Sequence, residues 1–246
     1  MFTFPVGFLG GSTGTEDPYW NNLSLYLPMT GTNGSTTFID SSSYTHTITP
    51  SGNAQISTAQ FPTLSGINSS GLFDGNGDFL TCGAANLPEY DLGTGDFTMR
   101  AFIRLNATVN NLITIFYLGA DGSGSTIAFG WEVLQNNTGL RFFSYQSTAI
   151  VATNYTGTIA INTWHYVGVT RTSGTLALWL NGSQVASNTN TQDFNRTTGR
   201  ILRVARYTAD STSTIRNFPG NISHLQMYKG VSIPLNTIPS TPFPVG

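Results

Sequence analysis

Apolar residues in this chain recur mostly at every second position, in short runs broken by clusters rich in glycine, serine, threonine and asparagine. Such alternation gives a strand one apolar and one polar face. FTMRAFIRL is the cleanest case, with Phe97, Met99, Ala101 and Ile103 on one face and Thr98, Arg100, Phe102 and Arg104 on the other. LSLYLPM, from Leu23 to Met29, alternates near the start, and GLFDGNGDFL reads as two half-strands about a glycine-rich turn. LITIFYL, TIAFGWEVL and LRFFSY follow. WHYVGVTR, the turn TSG and TLALWLNG then give the strongest hairpin signal. ILRVARY and NISHLQMY close the series, and no segment holds a helical period over three turns. Many short strands at turn-marked intervals predict an all-β fold, a two-sheet antiparallel jelly-roll sandwich in a single domain. The domain is expected over residues 19–230. Extended terminal arms flank it: residues 1–18, which end in the flexible GGSTGTEDP joint, and the proline-rich 231–246.

Composition sharpens this picture. Charged residues make up only 9% of the 246 positions, against about 25% in ordinary globular domains. Their place is taken by residues that favour turns and caps over helices. The net charge is −2 with lysine and arginine scattered singly, so no basic patch exists to neutralise phosphates and nucleic acid is not an expected partner. No apolar run approaches the ~20 residues of a membrane helix, and no membrane insertion is expected. The opening MFTFPVGFLGG has no basic leader and no small-residue cleavage pattern after it, so it reads as part of the mature protein. The single cysteine, Cys82, excludes an intrachain disulfide framework and reads as a small buried residue. Asn-X-Ser/Thr triplets at Asn22, Asn106, Asn154 and Asn181 arise by chance in a chain this rich in asparagine and threonine.

Four segments in order carry a resemblance: LFDGNGDFL, LGTGDFTMRAFIRL, NTWHYVGVTRTSGTLALWLNGSQV and FPGNISHLQMYKGV. Together they resemble the concanavalin A-like lectin/glucanase superfamily, in its laminin-G-like jelly-roll branch, over roughly residues 20 to 230. The hairpin ending in LNG, with Trp164 at its entry, is the most specific piece. DPYWNN, GTNGSTTFIDSSS and the proline-rich IPSTPFP end look further like versions of this module found in tailed-bacteriophage structural proteins. One departure matters. Relatives commonly read Gly-X-Ile-Asp before the last core strand, where this chain has Gly220-Asn221-Ile222-Ser223. In the family that aspartate often contributes to a calcium site.

Some superfamily members are glycosidases, whose chemistry usually needs two carboxylates flanking the scissile bond. The only glutamates, Glu16, Glu89 and Glu132, stand apart, and Glu132 in GWEVL has no acidic neighbour two residues away. No enzymatic activity is expected. DGNGD offers oxygens at Asp74 and Asp78. As an EF-hand loop it fails, with Phe79 where glycine is needed and Ala85 where glutamate is needed. No metal and no other cofactor is expected; Asp74 and Asp78 are the only calcium candidates. The histidines His46, His165 and His224 lack metal-ligand spacing. Phe102, Tyr166 and Trp179 alternate away from the aliphatic core and form a candidate glycan platform, since sugars stack their C–H faces on aromatic rings. Interfaces are also enriched in such rings.

Phe-Pro-Val-Gly stands at Phe4–Gly7 and again at Phe243–Gly246. Proline keeps these segments out of central strands. Their apolar side chains, Phe2, Phe4, Val6, Phe8, Leu9, Phe243 and Val245, are therefore expected to anchor the chain to another subunit or to a particle. The expectation is a non-catalytic structural or adhesion protein of a phage virion, made in the host cytoplasm without a secretory signal. It would contact other virion subunits as a homo-oligomer, a trimer by analogy with phage appendages, and host-surface carbohydrate. A free carbohydrate-binding lectin is the alternative, and a divergent glycoside hydrolase stands third.

Overall fold

The computed structural model describes residues 17–120, 127–146, 149–194, 199–207 and 216–240. Within them the chain forms two facing antiparallel sheets. The first runs β13 (Ser183–Thr189), β12 (Thr175–Leu180), β11 (Trp164–Thr172), β6 (Phe97–Leu105), β15 (Pro219–Lys229), β4 (Ser70–Asp74) and β3 (Gln55–Ser57). β1 (Leu23–Leu27) also pairs with β15. The second runs β10 (Ala149–Thr156), β9 (Gly139–Gln146), β8 (Ile127–Val133), β7 (Ile113–Gly119), β14 (Ile201–Val204), β5 (Phe79–Cys82) and β2 (Ile48–Ser51). This is the expected jelly-roll sandwich.

Alternation explains which side chains lie between the sheets. Phe97, Met99, Ala101 and Ile103 of β6, Val167 and Val169 of β11, and Leu176 and Leu178 of β12 all enter the main core. Phe129, Trp131 and Val133 of β8 and Leu140 and Phe142 of β9 meet them from the second sheet. Phe97, Phe129, Phe142 and Phe194 form a ring cluster with centroids 5.6 to 5.9 Å apart. Each such buried side chain stabilises the fold by roughly 1.5–3 kcal/mol. Arg171 is also fully buried there, with its guanidinium 4.5 Å from the centre of the Phe194 ring. It donates to the carbonyls of Gly95 (2.7 Å), Gln192 (2.8 Å) and Gly93 (2.7 Å), pinning two loops to β11. Burial lowers its pKa to about 10.

A second apolar layer covers the outer face of the first sheet. Leu23, Tyr26, Phe102, Tyr166, Tyr228, Ile233 and Leu235 are its buried members, with Trp20, Trp164 and Trp179 packed against them. The segment after β15 makes this layer by turning back over its own sheet. The Thr98 hydroxyl accepts from the Ile233 N–H (2.8 Å) and donates to the Val231 carbonyl (3.1 Å). Leu235 seats on Gly168, where any Cβ would strike Leu235 Cδ1. At the other end, the Tyr228 hydroxyl donates to the buried Asp17 carboxylate at 2.7 Å. The sandwich therefore takes in Asp17–Pro18 and Val231–Leu235, wider than the 19–230 span expected. The described part of the C-terminal segment is a strap on its own sheet.

The strand edges are also engaged. Where β10 and β13 approach, the Thr153 hydroxyl donates to Asn188 Oδ1 (2.5 Å), and Asn188 Nδ2 donates to the Ala152 carbonyl (3.4 Å). Beyond β3, Ile56 exchanges backbone bonds with Gly34 (2.8 Å) and Ser35 (2.7 Å).

Candidate functional site

The outer face of β11 and β12 carries the site. Thr170 and Thr172 point outward from β11, and Thr175, Ala177 and Trp179 point outward from β12, as the period of two requires. Small side chains therefore make a low floor beside one large ring. Gln184 of β13 lies directly across from Trp179 in the strand register. The strap supplies the opposite wall through Ser232, Ile233, Pro234 and Asn236. The result is an open groove of about 400 Å³, within the range of small-ligand sites. The indole Nε1–H of Trp179 donates to the Thr170 hydroxyl at 2.9 Å, which fixes the ring plane. A 2.6 Å hydrogen bond between the Thr172 and Ser232 hydroxyls ties strand to strap at the groove. Trp179 is half-buried, while the Gln184 and Asn236 amides are exposed.

The three aromatics of the expected platform thus separate. Trp179 lines the groove. Phe102 and Tyr166 do alternate away from the core, but the strap covers them to 4% and 3% exposure, with their ring centres 5.1 Å apart. Neither can present a ring face to a ligand, so the three do not form an open platform. The floor threonines, Gln184 and the strap wall were not read from the sequence. The apolar alternation of VSIPL, which places Ile233 and Leu235 on one side, was the available signal.

The calcium candidates serve the turn they stand in. Asp78 is 1% exposed and accepts the backbone N–H of Asn53 (2.7 Å) and of Asp74 (2.9 Å). Asp74 accepts the N–H of Asn76 at 2.6 Å. With its amide nitrogen turned inward, Asn53 donates to both carboxylates, at 3.1 Å to Asp74 and 2.9 Å to Asp78. Burial raises the Asp78 pKa from its ordinary value, against the opposing pull of those backbone bonds. Among the described residues no group of three or more His, Cys, Asp or Glu side chains is placed to hold a metal ion. Ser223, at the departure from the family pattern, is buried and hydrogen-bonds His224 Nδ1 at 2.8 Å.

Glu132 is fully buried, and its oxygens are spent on cations. It accepts from Arg141 (3.1 and 2.5 Å) and Arg216 (2.9 Å), with the Thr114 hydroxyl at 3.4 Å. His46, given no role by its spacing, bridges Asp40 Oδ2 (2.6 Å) and Glu89 Oε1 (2.5 Å), tying the 40–46 loop to the Pro88–Tyr90 turn. His165 lies between the Ala160 carbonyl (3.1 Å) and the Asn181 amide (3.3 Å), and burial lowers its pKa. No helix among the described residues is long and apolar enough to cross a membrane. The anchor residues Phe2, Phe4, Val6, Phe8, Leu9, Phe243 and Val245 lie outside the described residues.

Comparison with known proteins now has a geometry to meet. A laminin-G-type family model, described as the concanavalin A-like lectin/glucanases superfamily, matches residues 74–232. The chain belongs to this superfamily. No curated protein matches its sequence. Among solved structures, the superfamily jelly roll is similar to the botulinum neurotoxin serotype C1 binding domain, at 16% identity and a TM-score of 0.61. That match covers 87% of this chain and 50% of the toxin domain. The botulinum neurotoxin DC binding domain in complex with SialylT is similar at 18% identity and a TM-score of 0.59, over 87% and 50% of the two chains. A third such structure concerns type C toxin, whose cell entry is described as dependent on interaction with two ganglioside molecules. It matches at 17% identity and a TM-score of 0.58, over 87% and 49%. At these identities the likeness is one of fold. The chain spans about half the length of those toxin domains.

Proposed function

We propose that this jelly roll is a non-catalytic, lectin-like module that binds carbohydrate in the Trp179 groove. We further propose that it does so as a structural or adhesion subunit of a phage virion facing host-surface glycans. The groove itself is the observation that carries the binding reading. It joins one half-buried indole, locked by Thr170, to a set of hydroxyls and exposed amides. Sugars need that combination, since an apolar ring face is presented together with groups that donate and accept. Superfamily membership and the likeness to toxin binding domains, one in complex with SialylT and one from a toxin whose cell entry depends on gangliosides, support surface recognition. The clamping of Glu132 by two arginines supports a role without hydrolysis. The virion setting rests on the resemblance of DPYWNN, GTNGSTTFIDSSS and the proline-rich end to phage modules.

A glycan array probed with the wild type and with Trp179→Ala tests the binding reading. Binding should disappear in the variant while circular dichroism shows the fold retained. A melting loss of several degrees with glycan binding intact would show that the ring only packs. Mass spectrometry of purified particles tests the virion setting, and absence of the chain there would leave a free lectin. Deleting residues 1–14 should leave a folded but monomeric or unattached jelly roll. An unchanged oligomeric state by light scattering would refute anchoring by the N-terminal arm.

A further inference from the structure

Resting on that reading of the groove, we infer that its ligands are uncharged glycans, and that it rejects sialylated, uronic or sulfated sugars. Among the described residues, none that lines the groove carries a charge. Arg171 follows Thr170 and precedes Thr172, yet alternation turns it inward, where three carbonyls hold its guanidinium. Arg100 and Arg104 are the cations on this face of β6: Arg104 donates to Asn106 and Asn162, beyond the Trp164 end of β11, and Arg100 pairs in register with Gly168. Arg100 donates from Nε to Gln226 Oε1 (2.7 Å) and from its terminal nitrogen to the Tyr228 hydroxyl (2.9 Å), both on β15, and it also meets the buried Tyr166 hydroxyl. The nearby carboxylate, Asp96, accepts the Ser173 N–H at 2.7 Å in the β11–β12 turn and adds negative rather than positive potential.

An anionic substituent brought into such a site loses water without gaining an ionised donor. That costs far more than the transfer of a hydroxyl that finds a partner. A neutral sugar meets the opposite balance. Gln184 and Asn236 each offer an amide N–H₂ and a carbonyl oxygen, and Thr172, Thr175 and Ser232 offer hydroxyls that donate or accept. Each of these groups suits a sugar hydroxyl, and none brings the positive charge that would offset a carboxylate's lost water. Trp179 then takes the apolar ring face, with its free rotation removed in advance by Thr170.

The test uses the full chain with two matched oligosaccharide sets. One holds neutral hexose and N-acetylhexosamine glycans; the other holds the same cores carrying sialic acid, uronic acid or sulfate. Binding is measured by calorimetry or saturation-transfer NMR at low and high salt. The expected result is binding of neutral glycans only, with an affinity that does not change with salt. It should weaken roughly ten-fold or more in Trp179→Ala and be largely retained in Trp179→Phe, which keeps a ring on the same backbone. Binding confined to the acidic set, or falling steeply with salt, and still lost in Trp179→Ala, would overturn the charge selectivity while leaving the groove as a glycan site. Glycan binding that Trp179→Ala and Gln184→Ala both leave unchanged, in variants with wild-type circular dichroism, would overturn the groove reading and the selectivity together.

Discussion

Lowering the pH from about 7 to about 4 should destabilise this fold through one identifiable side chain. His224 sits at 2% exposure in the bulge where β15 shifts register against β6, with its Nδ1 against the Ser223 hydroxyl and its ring 6.0 Å from that of Tyr26. Burial lowers its pKa from 6.5 to about 4, because the charged ring would lose its water. A group depressed in this way leaves stability intact above its unfolded pKa of 6.5. That stability is lost as pH falls toward the folded value of about 4, because the unfolded chain takes up the proton first. The gap corresponds to about 3 kcal/mol. Carboxylates also titrate over this window, so the effect is isolated by difference. His224 has φ near 50°, a left-handed conformation that asparagine tolerates best among side chains of similar polarity. His224→Asn therefore keeps the backbone and removes the titration. Urea unfolding of both proteins between about pH 7.5 and 4 should show wild type losing about 3 kcal/mol relative to the variant as pH falls. Parallel stability curves would refute the reasoning and show that the ring stays hydrated or titrates normally in the fold.

Gly168→Ala should drive a methyl group into Leu235 and lift the strap, costing about 1–3 kcal/mol. Limited proteolysis should then cut after Lys229 while the sandwich survives, and dye binding should report the uncovered Phe102 and Tyr166. Arg171→Met should strip the donors from the Gly93, Gly95 and Gln192 carbonyls. A loss of at least about 2 kcal/mol in chemical denaturation is expected, from the Gly95 and Gln192 carbonyls left unpaired at ~1–3 kcal/mol each, while the Gly93 carbonyl keeps the Phe194 N–H. EDTA and added calcium should both leave the melting temperature unchanged, because Asp74 and Asp78 already accept N–H groups of their own turn. A calcium-dependent rise would point to a bound ion.

How much of this was legible follows from range. The core face of β6 was readable because burial on one side of a strand writes a period of two into nine consecutive residues. The same logic placed Phe102, Tyr166 and Trp179 on the opposite face. It could not say what covers them, because the strap that buries two and leaves the third as a wall lies tens of residues away. The proline-rich 231–246 segment reads as an arm outside the domain, and Pro234 cannot extend a ladder. In fact it needs no ladder, because Thr98 pairs with its backbone through a side chain. Pairings such as His46 with Glu89, or Glu132 with Arg216, join positions whose separation carries no periodic signal.

The capped edges bear on how copies of this module could crowd together. A bare edge strand invites another chain to continue the sheet, the route by which β-proteins aggregate. Here Asn188 and Thr153 stitch the β10 and β13 edges to each other, and Gly34 and Ser35 occupy the free side of β3. Side chains on β13 are mostly polar and uncharged, so they neither template a neighbour nor repel one. Packed at high density, such jelly rolls can touch flank to flank without fusing their hydrogen-bond networks.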